Sequence, residues 1–186
     1  MFHNLKLTDS TLNLRAFEPQ DVQPYYLAVR ESLSDLIPWM SWAHRDYRPS
    51  EAEEYITIVR RNWELGTQYS FAITDARDGS ILGAASLTHI HPAYNFCNLG
   101  YWIRSSRRGN GLAGRAARLA AKFAFEQVGL IRVEVVVAVG NQASLKVAEK
   151  IGACREGILR NRIIVRETIY DAVMFSFTPA DFGLKL

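Results

Sequence analysis

The sequence predicts an α+β fold organised on a mostly antiparallel sheet. Three observations carry this. Short runs of alternating apolar and polar residues recur along the chain, separated by turn signals. Two helix-start signatures fall between the first of these runs and the next. A β-branched run and two closing strand patterns follow a glycine-rich loop and an Ala-rich helix.

Taken in order, residues 11–17 (Thr-Leu-Asn-Leu-Arg-Ala-Phe) alternate and read as a strand. Pro19 then marks a helix start, with the helix running to about Ser32. Residues 33–42 are rich in Leu, Ile, Pro and Trp and read as an irregular or short helical segment. Trp39, Met40 and Trp42 give it a large apolar load, which serves either core packing or one wall of a substrate pocket. Ser50 and Glu53 form a capping box for a second helix that stops at Gly66. Residues 68–75 and 80–90 are strands joined by a hairpin turn at Asp78-Gly79, and a third strand follows near 98–104. His89 and His91, two residues apart, share a strand face by spacing; without a third ligand they read as strand-end residues that could line a cleft.

After the loop, Leu112, Ala116, Leu119, Ala120, Phe123 and Ala124 recur at helical spacing. Residues 131–139 read as a buried strand. Asn141 is suited to N-cap a helix over 142–151, Gly152 ends it, and strands at about 153–165 and 168–177 complete the chain. There are no repeats or linkers, so residues 1–186 read as one domain.

Composition narrows the function classes. Apolar residues make up 48% of the 186, and no run is long enough to cross a membrane. The net charge of +3 suits an anionic ligand and is too small to argue for nucleic-acid binding. Cys97 and Cys154 have no metal or redox spacing and read as free thiols in a reducing cytoplasm; no metal is expected.

The chemistry centres on Arg107-Arg108-Gly109-Asn110-Gly111-Leu112-Ala113-Gly114-Arg115. Glycines next to a helix start let the backbone approach a pyrophosphate, where free amides and the helix dipole meet the anion. Gly109-x-Gly111-x-x-Gly114 fits the dinucleotide fingerprint, and Glu134 stands twenty residues on. The context does not fit: Glu134 is near the start of its strand, residues 105–108 separate the loop from the preceding strand, and too little chain follows for a doubly wound sheet.

Arg108-x-x-Gly111-x-Ala113 instead resembles motif A of the GNAT superfamily of acetyl-CoA-dependent N-acetyltransferases. Gly100-Tyr101-Trp102-Ile103 resembles the strand before that motif. Val139-Gly140-Asn141-Gln142-Ala143-Ser144 and Glu149-Lys150-Ile151-Gly152-Ala153 resemble the later strand–helix segment. Glu156-Gly157-x-Leu159-Arg160 and Tyr170-Asp171 are similar to the closing strands of the Rim-type branch, which acetylates N-terminal alanines of ribosomal proteins. The resemblance implies a sheet of about seven strands, splayed between two parallel strands and flanked by about four helices. It implies that acetyl-CoA binds along Tyr101, Trp102 and Ile103, with its pyrophosphate on Gly109, Asn110, Gly111, Leu112, Ala113 and Gly114, charge from Arg108 and Arg115, and a contact at Asn141. The Ile103 amide would steady the thioester carbonyl.

A tyrosine that many relatives use as proton donor is Ala148 here, which leaves Ser144 as the implied acid. The Rim-type glutamate base falls at Ile163, so no base carries over, and Glu156 qualifies only if it faces the cleft. The implied reaction is direct attack by a primary amine, either a protein N-terminus, as on a ribosomal protein, or a small polyamine or aminoglycoside. A non-catalytic acetyl-CoA-binding module is the remaining alternative. Dimers are common in the family, so a homodimer stays open.

Overall fold

A computed structural model describes residues 5–185. Its eight strands form one sheet: β1 (Lys6–Thr8), β2 (Leu12–Ala16), β3 (Tyr69–Asp75), β4 (Ile81–His91), β5 (Phe96–Ile103), β6 (Arg132–Ala138), β7 (Cys154–Val165) and β8 (Thr168–Phe177). The spatial order is β1-β2-β3-β4-β5-β6-β8-β7, and every neighbouring pair is antiparallel except β5 and β6. The strand beyond the expected seven is β1, whose three residues are too short to show an alternation.

Four helices flank the sheet: α1 (Val22–Leu36), α2 (Pro49–Leu65), α3 (Leu112–Phe123) and α4 (Gln142–Lys150). Alternation along the strands divides the core. Ala72, Ala84 and Trp102 pack with Tyr25 and Val29 of α1 and Ile56 and Val59 of α2. Phe71, Ile73, Ala85 and Leu87 pack with Ala116, Ala120 and Phe123 of α3, with Ala148 of α4 and with Ile151 just after it. β3 is buried at every position because both its faces are covered.

At two helix boundaries the difference from the sequence reading has a clear local cause. α1 continues to Leu36, with the Ile37 and Met40 amides bonded back to Leu33 and Leu36 at 2.9 and 2.8 Å. α2 begins at Pro49 rather than after Ser50, and the Arg48 amide donates to Glu51 at 2.8 Å. The proline decides this: it holds Arg48 extended and suits the first helical position, where no amide is needed.

Gly83 sits opposite Ile103 in β4 with φ of +154°, beside the irregularity where β3 and β4 shift register. A Cβ there would stand 2.0 Å from the Trp102 carbonyl oxygen.

Two ion pairs make the fold pH-sensitive, one at the end of β5 and one between β6 and β7. Arg104 bonds Glu31 of α1, and this contact first of all holds the Glu31 carboxyl down at about 2. Arg132 grips Glu156 through two bonds of 2.7 and 2.6 Å, which chiefly holds Glu156 at about 2. A carboxyl whose pKa is depressed on folding adds stability above its ordinary value of 4.5, and that stability is lost as pH falls toward 2. The melting midpoint is therefore expected to fall between about pH 4.5 and 2, and to fall less steeply in Glu31→Gln; calorimetry across this range checks it.

Candidate active site

The site starts where β5 and β6 part. They pair in parallel only at Phe96↔Arg132, Cys97↔Val133 and Asn98↔Glu134. Beyond that, among the described residues, β6 continues with β8 while β5 continues with β4. The backbone directions along β5 follow from its ends. The Asn95 carbonyl accepts from the Ile131 amide at 2.8 Å, toward β6, and the Arg104 amide donates to the Leu82 carbonyl at 2.8 Å, toward β4. Backbone groups alternate along a strand, so Tyr101 and Ile103 present theirs to the gap that β6 has left.

The gap opens into a cleft of about 500 Å³. Its floor is Tyr101, Trp102 and Ile103. One wall comes from Asp35 to Met40, including Trp39, and the other from Ser144, Val147, Lys146 and Lys150 of α4. Arg107, Arg108, Gly109, Gly111, Leu112 and Ala113 close one end, and Asn141 stands at the turn into α4. An extended phosphorylated chain fits such a trough, with strand-edge amides along it and glycine backbone at one end.

The three glycines of the loop have different reasons. Gly109 and Gly111 have φ of +81° and +72°, and an added Cβ would meet nothing within 4 Å; they are needed for the turn and for the start of α3. Gly114 has no such φ, and a Cβ there would lie 2.5 Å from Ile151 Cγ2. It serves the packing of α3 on α4, outside the cleft lining, as are Asn110 and Arg115.

The arginines are tied to carboxylates. Arg108 lines the cleft with Nη1 2.5 Å from Asp35. Arg115 turns away to Asp9, 3.2 Å distant, at the β1–β2 turn. Asp35 also accepts the Ser105 hydroxyl at 2.5 Å, and that bond, more than Arg108, holds its carboxyl below the usual range. Lys146 and Lys150 also line the cleft, which the sequence reading does not include. Their spacing of four on the same helix as Ser144 is the signal that could have found them.

Asn141 caps α4, its side-chain oxygen accepting the Ser144 amide at 3.1 Å. The Ser144 hydroxyl lies 3.5 Å from the Tyr101 hydroxyl, which is also 3.5 Å from the Ser144 carbonyl oxygen. Ala148, one turn on, is fully buried.

The expected pocket residues divide. Trp39 crosses the cleft: its ring would lie 3.1 Å from a Cβ on Gly140, and it tilts against Tyr170 at 6.1 Å. Met40 lines the cleft beside it, whereas Trp42 packs toward Tyr47 and Trp102, outside the lining. His89 and His91 do not reach it. His91 pairs with Phe96 at the far end of β5 from Ile103, about 23 Å along the strand at the usual rise. His89 has φ of +52°, so a bulge there breaks the shared strand face, and His91 stacks on Phe96 and Tyr94. Glu156 is held by Arg132 and by the Ser176 hydroxyl at 2.6 Å, away from the cleft lining. It is an ion-pair residue of the sheet edge.

This forked sheet, with a glycine turn opening onto a helix, defines a class of acyl-transfer fold. The Acetyltransferase (GNAT) domain family model matches residues 11–153, and the chain belongs to that family. It is an acetyl-CoA-dependent N-acetyltransferase by class. YdaF of Bacillus subtilis (strain 168), a protein named as a candidate ribosomal N-acetyltransferase, is 29% identical over 181 residues, spanning 92% of this chain and 93% of its own. A candidate ribosomal-protein-serine acetyltransferase from Vibrio cholerae superposes with a TM-score of 0.83 at 26% identity, covering 96% of this chain and 100% of its own. RimL, a ribosomal L7/L12 alpha-N-protein acetyltransferase solved with coenzyme A, shares the fold with a TM-score of 0.86 at 19% identity, covering 94% and 98%.

Proposed function

We propose that this protein transfers the acetyl group of acetyl-CoA to the N-terminal α-amine of another protein, of the ribosomal-protein type, by direct attack within a ternary complex. The observation that carries the acceptor class is the state of Asp35. It is the carboxylate among the described cleft-lining residues, and Ser105 and Arg108 already hold it in its ionised form. It is a poor proton acceptor. An amine that is partly neutral on its own suits such a site: an α-amine titrates near 8, whereas a lysine-like amine titrates near 10.4. The names of YdaF and of the Vibrio cholerae relative point the same way.

In this reading the edge amides of Tyr101 and Ile103 hold the donor's extended arm. The Ile103 N–H strengthens its bond as the thioester oxygen gains charge. Gly109, Gly111, Leu112 and Ala113 receive the pyrophosphate, with Arg108 adding charge. Ser144 faces the sulfur, and Trp39 and Met40 form the acceptor wall. The protein itself carries no acyl group during turnover.

The acceptor is tested with peptides beginning in alanine, serine or methionine against spermidine and an aminoglycoside panel, with the acetylated nitrogen located by mass spectrometry. Acetylation of a peptide α-amine is expected; faster acetylation of a polyamine or antibiotic, or release of CoA with no amine, overturns the reading. Arg108→Ala is expected to raise KM for acetyl-CoA about tenfold with kcat nearly unchanged, since a charged contact to the pyrophosphate binds ground and transition states alike. Steady-state kinetics at two salt concentrations check it.

A further inference from the structure

We propose that Tyr101 is the proton source for the departing coenzyme A, acting through Ser144, so that Ser144 is the bridge of a two-hydroxyl relay. This rests on the reading of the cleft given above, and four observations carry it.

The Ser144 hydroxyl donates to the Tyr101 hydroxyl at 3.5 Å, and the Tyr101 hydroxyl donates to the Ser144 carbonyl oxygen at the same distance; when a thiolate draws the Ser144 proton, both hydroxyls turn about their C–O bonds and Tyr101 becomes the donor. That spacing is at the outer limit of a hydrogen bond, where a small closure on binding donor and acceptor would tighten it. The helix cap at this turn is supplied by Asn141, which accepts the Ser144 amide, and the bond of the Ser144 hydroxyl itself runs to Tyr101 on the strand rather than to nearby backbone. Both side chains line the cleft, and Tyr101 lies two residues before Ile103 on the strand edge that faces the gap. Ala148 is sealed in the core, so α4 itself offers no phenol at that position.

Acidity decides the direction of the relay. A serine hydroxyl ionises far above any working pH, and giving its proton to a thiolate unaided would leave an alkoxide. A phenol near 10 is much closer to a thiol near 8.5. Burial pushes the Tyr101 phenol up, and the Ser144 contact partly opposes this, so Tyr101 stays protonated through neutral pH. As the C–S bond breaks, sulfur keeps the electron pair and takes the Ser144 proton. Ser144 takes the Tyr101 proton in the same movement. The phenolate then regains, through solvent, the proton shed by the acylated nitrogen. One N–H is lost and one S–H is gained. Tyr101 acts through Ser144 and is a positioning residue in this sense.

The decisive experiment needs no acceptor. The thiol of bound CoA is titrated by difference absorbance between the CoA and desulfo-CoA complexes. A relay that donates to sulfur lowers the pKa of the bound thiol below that of free CoA. Ser144→Ala and Tyr101→Phe are both expected to raise it again, by about one unit. An unchanged value in Tyr101→Phe overturns the proposal.

Single-turnover rates with the fastest amine of the acceptor panel give the second arm. Tyr101→Phe and Ser144→Ala are each expected to lose about 100-fold, and the double variant to lose little more. Multiplying losses, or a Tyr101→Phe effect confined to KM, would count against the relay. If Tyr101→Phe does not fold, 3-fluorotyrosine at position 101 keeps the hydroxyl and is more acidic; the alkaline limb of the rate profile must then move to lower pH, and an unmoved limb overturns the idea. If no amine is acetylated, the acceptor reading fails while the thiol titration still decides the relay.

Discussion

Gly83→Ala is expected to lower stability by about 3–5 kcal/mol, near the upper end for a point substitution. The new Cβ would lie 2.0 Å from the Trp102 carbonyl oxygen, which is backbone and cannot swing aside. The backbone conformation at φ of +154° is also one that side chains resist. The damage reaches the cleft, because Trp102 stands between Tyr101 and Ile103 on the strand that faces the gap. Urea denaturation should show the lower midpoint, and any folded fraction should bind CoA more weakly. Gly79→Ala is the control: its φ is +74°, but nothing lies within 4 Å, so a loss of about 1–2 kcal/mol is expected, with CoA binding intact.

Replacing the backbone amide of Ile103 with an ester, by incorporating the matching α-hydroxy acid, is expected to lower kcat by about 100- to 1,000-fold. The side chain is unchanged and the strand loses one donor. Since that donor faces the gap rather than β4, the sheet should keep its pairing and the melting midpoint should move little. The same exchange at Trp102, whose amide faces β4, should instead lower the melting midpoint, with a smaller effect on kcat. Equal kinetic effects at the two positions would show that the donor is misassigned.

Much of the molecule can be read from residue pattern. The alternation in 11–17, the Asp78-Gly79 turn and the Asn141 cap all mark real elements, because each depends on neighbours within a few residues. The misplaced start of α2 was also a local matter, in which Pro49 outweighed the Ser50 and Glu53 pair. The glycine loop is legible as a turn into a helix, but residue pattern does not distinguish its three glycines. Only the packing of α3 on α4 separates Gly114, which makes room for Ile151, from Gly109 and Gly111, which hold the turn. The histidine pair departs from its spacing for a similar reason. Spacing of two implies a shared face only in a regular strand, and the bulge at His89 removes that condition.

By itself the sequence determined the order of the elements from β2 onward and the place of the glycine turn before α3, and it singled out Asn141 as a cap and Ser144 beside it. Those signals are short-range, and the chemistry of a few adjacent residues is enough to write them. The tertiary structure alone decided which groups meet across the cleft. It set Tyr101 against Ser144 over 43 positions of chain, Arg108 against Asp35, and Trp39 against Gly140. The physical reason is the fork between β5 and β6. Once β6 pairs with β8 and leaves β5, one strand edge is unpaired on that side, and the residues that face that opening are fixed by the sheet and its helices rather than by their sequence neighbours.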